Sequence, residues 1–187
     1  HAGGGSPEEV VESIRKFQDS GFRYIRCQMG GYGGTAEKMV KPKGAPEGAY
    51  YSRKEYMMNH LQMFEHVRNE IGFETELLHD IHERLQPIEA VGFAKDMEQF
   101  KLFFLEDALA PEDIEWFKNI RQQCSTPIAM GELFNHPREW TPLIDQRLID
   151  FLRMHVSQMG GITPARNVAA FANIYGIRTA WHGPGDT

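Results

Sequence analysis

Residues 77–82 read Leu-Leu-His-Asp-Ile-His, an apolar run that ends in an acid, with a second histidine two positions later. The same design recurs at residues 102–106, Leu-Phe-Phe-Leu-Glu, and at residues 128–132, Ile-Ala-Met-Gly-Glu. Asp80, Glu106 and Glu132 follow one another at intervals of 26 residues, which is about the length of a strand, a helix and two loops. The sequence therefore predicts three successive parallel strands, each ending in an acid.

The three acids predict a metal site. In a closed barrel the strand ends converge, and three carboxylates aimed at one point repel each other unless a cation lies between them. Hard oxygen ligands without a thiolate favour Mg²⁺. We therefore predict Asp80, Glu106 and Glu132 as Mg²⁺ ligands, with the adjacent Asp107 in a supporting or structural role. The alternative for each single acid is a helix cap or a solvated loop residue.

The fold class follows from the alternation of strand and helix patterns. After a glycine-rich entry at residues 1–5, interpreted as the tail of a preceding strand, six strands are predicted to alternate with helices. The predicted strands cover residues 22–28, 74–80, 102–106, 128–132, 148–155 and 177–182. Five helices between them are predicted at about residues 6–20, 53–71, 87–99, 111–122 and 137–146. A sixth helix is predicted to begin at Pro164, with Thr163 as its cap, and to run to about residue 175. This α/β pattern is typical of a (β/α)8 TIM-type barrel, here an excerpt of about six strand–helix units in one domain.

Composition narrows the class of protein. The chain has 187 residues, 41% of them hydrophobic and 25% charged, with a formal net charge of −6. This acidic balance does not favour binding to nucleic acid or to a membrane surface, and no apolar run approaches the roughly 20 residues of a bilayer span. Two cysteines do not make a disulfide framework, so the expected location is the reducing cytoplasm.

Histidines and an arginine near the predicted strand ends are further candidates. His82 could act as a general acid, because histidine titrates near neutral pH, although a structural loop histidine is the simpler alternative. His79 alternates to the opposite face and is expected to pack between the sheet and the helices. His182 is expected to face the pocket, and Arg153 and His155 could hold an anionic substrate.

A long loop after the first complete strand carries the candidate base. Residues 29–50 are rich in glycine and follow a strand end, where barrel active sites are built, so they are interpreted as a flexible substrate cover. Arg26 could bind a carboxylate, or lower the pKa of a nearby phenol so that the phenol acts as a base. The candidate phenol is Tyr32, for which a merely mobile loop tyrosine is the alternative.

Local sequence resembles the mannonate dehydratase group of the enolase superfamily, which includes starvation-sensing and acid-sugar dehydratases. The resemblance spans almost the whole chain. The matching stretches are residues 24–28 (Tyr-Ile-Arg-Cys-Gln), 77–85 (Leu-Leu-His-Asp-Ile-His-Glu-Arg-Leu), 104–107 (Phe-Leu-Glu-Asp), 131–134 (Gly-Glu-Leu-Phe) and 182–186 (His-Gly-Pro-Gly-Asp). The family would also have an N-terminal capping domain and a last barrel strand, which are expected outside residues 1–187.

The resemblance implies a role for each matching residue. Mg²⁺ would be held by Asp80, Glu106 and Glu132, and His82 would protonate the leaving hydroxyl. Arg26 would pair with a loop tyrosine as the base. The substrate pocket would be lined by Arg153, His182 and Asp186. Two positions depart from efficient members of the group: their base tyrosine lies further along the loop than Tyr32, and they carry alanine where this chain has Pro184.

The implied reaction is Mg²⁺-dependent dehydration of a mannonate-type or gluconate-type sugar acid to a 2-keto-3-deoxy acid, a hydro-lyase reaction. The alternative is a non-catalytic sensor that binds metal and sugar acid on the same barrel, as Pro184 and the altered loop would allow. A racemase or lactonising relative is disfavoured, because such proteins carry Lys-x-Lys where this chain has residues 26–28, Arg-Cys-Gln. The expected partners are a small sugar acid and further copies of the chain in a homo-oligomer.

Overall fold

The computed structural model describes residues 1–30, 44, 46 and 51–183. The chain divides into two compact units, and each is described here by itself. The first unit comprises His1–Asp80 with Gln99–Phe103, and the second comprises Ile81–Glu98 with Phe104–Thr187. Tyr32, Pro184, Asp186 and most of the predicted substrate cover lie outside the described residues.

In its described residues, the first unit alternates three parallel strands with two helices. Its elements are β1 (Ala2–Gly4), α1 (Pro7–Asp19), β2 (Tyr24–Met29), α2 (Arg53–Ile71) and β3 (Glu76–Asp80). Strand β2 pairs with β1 on one side and with β3 on the other. The two helices bury apolar residues that include Val10, Ile14, Met63, Phe64 and Val67.

Local signals set the helix ends of the first unit. The Ser6 side chain accepts a hydrogen bond from the Glu9 amide at 3.3 Å, and the Glu9 carboxylate accepts one from the Gly5 amide at 2.5 Å. Ser6 therefore caps α1, with the returning bond one residue further out than in an ideal capping box. Helix α2 begins after Ser52, which caps it in the same way, and ends at Gly72.

The second unit carries four parallel strands in the order of the sequence. It contains α3 (Pro87–Asp96), β4 (Phe104–Glu106), α4 (Phe117–Gln123), β5 (Ile128–Met130), α5 (Pro137–Asp145), β6 (Phe151–Leu152), α6 (Ile162–Ile174) and β7 (Arg178–Thr179). Turns of 3₁₀ helix occupy Met97–Phe100 and Pro111–Trp116. Strand β4 pairs with β5, β5 with β6, and β6 with β7. None of the described helices has the length and apolar character needed to cross a membrane.

Several predicted boundaries were wrong. The prediction for residues 148–155 gave one long strand, but β6 has two residues, because the Leu148 amide still bonds to the Leu143 carbonyl at the end of α5. Strand β5 stops at Met130 rather than Glu132, because Gly131 turns the chain with a φ of 138°. Helix α6 begins at Ile162 after Gly161, whose φ of 105° sets the turn, and not at the predicted Thr163–Pro164 cap.

Candidate active site

In the first unit, Asp80 lies at the end of β3 and is fully buried. Arg26 of β2 donates from Nη1 to Asp80 Oδ2 at 3.2 Å. Gln28, which lies on the same face of β2 because side chains alternate along a strand, donates from Nε2 to the Asp80 carbonyl at 3.2 Å. Two side chains of β2 therefore fix the carboxylate and the backbone of Asp80.

His79 occupies the opposite face of β3, as predicted, and is fully buried. Its Nδ1 lies 2.9 Å from the Cys27 carbonyl, and its Nε2 lies 2.9 Å from the Tyr56 hydroxyl of α2. Because a carbonyl only accepts, Nδ1 must carry a proton. Burial raises the pKa of the neighbouring Cys27 thiol to about 12. These groups link β2, β3 and α2 and have a structural role.

In the second unit, three carboxylates lie close together. Glu106 ends β4, Asp107 follows it, and Glu132 lies two residues beyond β5. One oxygen from each lies within 4.8 Å of the others, and both Glu106 and Asp107 are buried, each with an exposed fraction of 1%. Crowded carboxylates with little access to water need positive charge nearby.

Arg153, immediately after β6, supplies one positive charge. Its Nε donates to Glu106 Oε1 at 2.6 Å. Its Nη1 donates to the carbonyl oxygens of Ala180 at 3.0 Å and Trp181 at 3.3 Å, both just beyond β7. Arg153 therefore joins the end of β4 to the segment that carries His182.

Three histidines lie beside the carboxylates of the second unit. His182 Nε2 is 3.4 Å from Glu132 Oε2 and 3.9 Å from Glu106 Oε1. His82 Nδ1 is 3.7 Å from Glu132 Oε2. The rings of His155 and His182 lie with their centroids 4.5 Å apart. Burial lowers the pKa of His182, and the charge of Glu132 opposes that shift, so the neutral ring is favoured.

The backbone conformation that places His82 beside Glu132 was not predicted from the sequence pattern. The expected strand alternation stops at Asp80, and His82 and Glu83 adopt left-handed conformations with φ values of 55° and 59°. The Ile81 and Glu83 amides donate to the carbonyls of Glu106 and Asp107, each at 3.0 Å. Non-glycine residues in this region carry a backbone cost of order 1 kcal/mol and are concentrated at functional sites.

From the sequence alone, Asp107 was assigned only a supporting or structural role, and Gln28 was assigned no role. Simple alternation would point Asp107 away from Glu106, but its φ of 44° breaks the strand and brings its carboxylate into the cluster. For Gln28 the available signal was its spacing from Arg26, two residues apart on one strand. The positions of Tyr32 and Asp186 remain predictions.

Comparison with known proteins places these features in a family. The model of the enolase C-terminal domain-like family matches residues 9–187. A D-galactonate dehydratase family member from Enterocloster bolteae is 52% identical, over 100% of this chain and 47% of its own length. A D-mannonate dehydratase from Caulobacter is 40% identical, over 100% of this chain and 48% of its own length. The chain thus spans about half the length of the curated relatives it matches.

Solved structures agree with the sequence comparison. The crystal structure of an enolase from Pantoea ananatis with bound D-gluconate and magnesium is 48% identical, with a TM-score of 0.90 over 100% of this chain and 49% of that chain. The 3,6-anhydro-D-galactonate cycloisomerase from Zobellia galactanivorans, at 22% identity and a TM-score of 0.75 over 96% of this chain and 44% of that chain, shares the fold. The parallel strands and alternating helices are those of the α/β TIM-type barrel. The chain belongs to the enolase C-terminal domain-like family.

Proposed function

We propose that this chain is the barrel part of a Mg²⁺-dependent sugar-acid dehydratase. The substrate is a mannonate-type or gluconate-type acid, and the product is a 2-keto-3-deoxy acid. The observation that carries the proposal is the cluster of Glu106, Asp107 and Glu132 with His82 and His182 beside Glu132. The names of two relatives, a D-galactonate dehydratase family member and a D-mannonate dehydratase, support the same class of reaction.

The chemistry of the donor set fits Mg²⁺. The donors on Glu106 and Glu132 are carboxylate oxygens, which Mg²⁺ prefers, and the buried Glu106 lies in a crowd of negative charge that a cation would relieve. The relative from Pantoea ananatis was solved with magnesium. Asp80 completes the proposed ligand set on the strength of its equivalent strand-end position and the family resemblance. When bound, Mg²⁺ stabilises the negative charge that develops on the substrate carboxylate as its α-proton leaves.

The proposed chemical roles fall on different residues. Arg26 holds Asp80 and, with a loop tyrosine for which Tyr32 is the candidate, forms the base that removes the α-proton. His82 is the acid that protonates the departing 3-hydroxyl, because its ring is half-buried beside Glu132 and histidine titrates in the working pH range. Elimination of water then yields an enol that tautomerises to the keto acid.

The remaining residues are proposed to hold the sugar acid. His155, His182 and Asp186 offer hydrogen-bonding groups for hydroxyls, and Arg153 offers positive charge for an anionic substrate. Arg153 also holds Glu106 through Nε, so its contribution includes orienting a proposed metal ligand. Residues 29–50 are proposed to cover the bound substrate.

An assay on the full-length protein tests the proposal. The protein is incubated with Mg²⁺ and a panel of five- and six-carbon aldonic acids, including mannonate and gluconate, and 2-keto acid is measured with an EDTA control. Product that depends on the metal supports the dehydratase and identifies its stereochemical preference. Absence of product from every acid contradicts it.

The sensor alternative is favoured by Pro184, a position at which efficient members of the resembled group carry alanine. Exchange of the α-proton in heavy water separates the two functions. A working base catalyses exchange even without net product. Binding of a sugar acid with neither exchange nor product would support the sensor.

A further inference from the structure

We infer that Glu132, His155 and His182 form a second cation position, which takes a borderline divalent ion such as Zn²⁺ and shares Glu132 with the proposed Mg²⁺ set. The inference goes beyond the proposed function, since it assigns the two histidines a metal-binding role. It rests on the second unit alone, which contains all three side chains.

The geometry suits a small coordination sphere. One potential ligand atom from each residue lies within 4.8 Å of the other two, and His182 Nε2 lies 3.4 Å from Glu132 Oε2. Metal–ligand bonds of about 2.0–2.2 Å separate neighbouring ligands of a tetrahedral site by roughly 3.4 Å. The His182–Glu132 pair therefore already has the required separation, and His155 has a ring nitrogen within 4.8 Å of a ligand atom on each partner.

The donor atoms determine which ion is preferred. Two imidazole nitrogens and one carboxylate oxygen form the type of set that Zn²⁺ and Co²⁺ bind, whereas Mg²⁺ favours oxygen. The local charge also favours a cation, because Glu106 and Glu132 together outweigh the single charge of Arg153. The side chains of His182 and Glu132 are 12% and 19% exposed, so water competes weakly for their donor atoms.

Sharing Glu132 couples the two positions. Even if its carboxylate bridges both ions, two divalent cations held by one glutamate lie close together and repel each other. Zn²⁺ is therefore expected to weaken Mg²⁺ binding. This effect is independent of any turnover of sugar acid.

The test uses the full-length protein and Co²⁺ alone as a spectroscopic probe, without sugar acid. We expect visible absorption typical of four- or five-coordinate Co²⁺ with imidazole ligands, and we expect Zn²⁺ to abolish it. His155→Gln should weaken Co²⁺ binding at least about tenfold, as loss of a direct ligand exceeds the effect of losing an outer partner, while changing the Mg²⁺ affinity less than threefold. Glu132→Gln should weaken the binding of both ions.

His136→Asn is the matched control, because His136 is exposed and caps α5 outside the cluster, and asparagine retains the cap. It should leave Co²⁺ binding unchanged. The inference is overturned if Co²⁺ shows only the weak spectrum of six oxygen ligands, or if His155→Gln binds it as the parent does. Loss of sugar-acid turnover in the separate Mg²⁺ assay would contradict the proposed function and leave this result unaffected.

Discussion

At the scale of single residues, the two acids that end β3 and β4 are both buried and both paired with arginine. Asp80 pairs with Arg26 at 3.2 Å, and Glu106 pairs with Arg153 at 2.6 Å. Burying a carboxylate is costly unless hydrogen bonds and opposite charge accompany it. The two arginines offset part of this cost and hold both carboxylates in fixed orientations, as the proposed metal site requires.

His82→Asn tests the proposed acid. Asparagine cannot supply a proton, so we expect dehydration to fall by about 10²–10⁴-fold, the usual contribution of a positioned general acid. Mg²⁺ affinity, measured by calorimetry, should be retained, because His82 is not a proposed ligand. Full turnover in this variant would show that another group protonates the leaving hydroxyl.

Arg153→Gln tests the partner of Glu106. Removing one member of a buried ion pair leaves an uncompensated charge, so the free energy of unfolding in EDTA should fall by about 3 kcal/mol or more. Mg²⁺ should restore part of the loss by supplying positive charge. Arg15→Gln is the control, since Arg15 pairs with Glu70 on the surface and should cost less than about 1 kcal/mol. Equal losses of unfolding free energy in the two variants, measured with denaturant, would mean that the buried Arg153–Glu106 pair contributes no more to stability than the surface pair.

At the scale of secondary-structure elements, periodicity and caps predicted most of the fold. The bounds of α2 matched the prediction, because Ser52 and Gly72 are strong start and stop signals. Strand ends were predicted less well. Apolar residues precede and follow β6, while Gly131 after β5 and the last turn of α5 decide where pairing stops. The left-handed turn at His82 could not be predicted from the local sequence, because hydrogen bonds to Glu106 at the end of β4 and to Asp107 after it stabilise the turn.

Gly131→Ala tests the turn that carries Glu132. A Cβ there would lie 2.9 Å from Met154 Cγ and 3.0 Å from the Arg153 carbonyl oxygen, at a φ that alanine adopts poorly. We expect a loss of about 2 kcal/mol or more in the free energy of unfolding. Gly92→Ala is the matched control, because nothing lies within 4 Å of its Cβ in helix α3, and it should stabilise by about 0.5–1 kcal/mol. The same sign for both substitutions in urea unfolding would contradict this interpretation.

At the scale of the whole molecule, each compact unit contains one cysteine. Cys27 lies in the first unit and is buried, and Cys124 lies in the second and is half-buried. With a pKa of about 12, Cys27 is almost entirely the unreactive thiol at pH 8. A thiol reagent should modify Cys124 first and Cys27 only as fast as the first unit opens. Denaturant should accelerate modification of Cys27. Mass spectrometry of peptides measures the rate of modification at both cysteines. Labelling of Cys27 at the rate of a free thiol would contradict this expectation and show that the first unit is loosely packed.

The most direct test of the account measures cation binding by the acids at the strand ends. Mn²⁺, followed by electron paramagnetic resonance, serves as a probe for Mg²⁺ in the full-length protein. We predict that Mg²⁺ displaces the bound Mn²⁺ and that Asp80→Asn, Glu106→Gln and Glu132→Gln each weaken its binding at least about tenfold. The exposed Glu112→Gln should have no effect. Mn²⁺ binding that all three strand-end substitutions leave unchanged would contradict the proposed metal site.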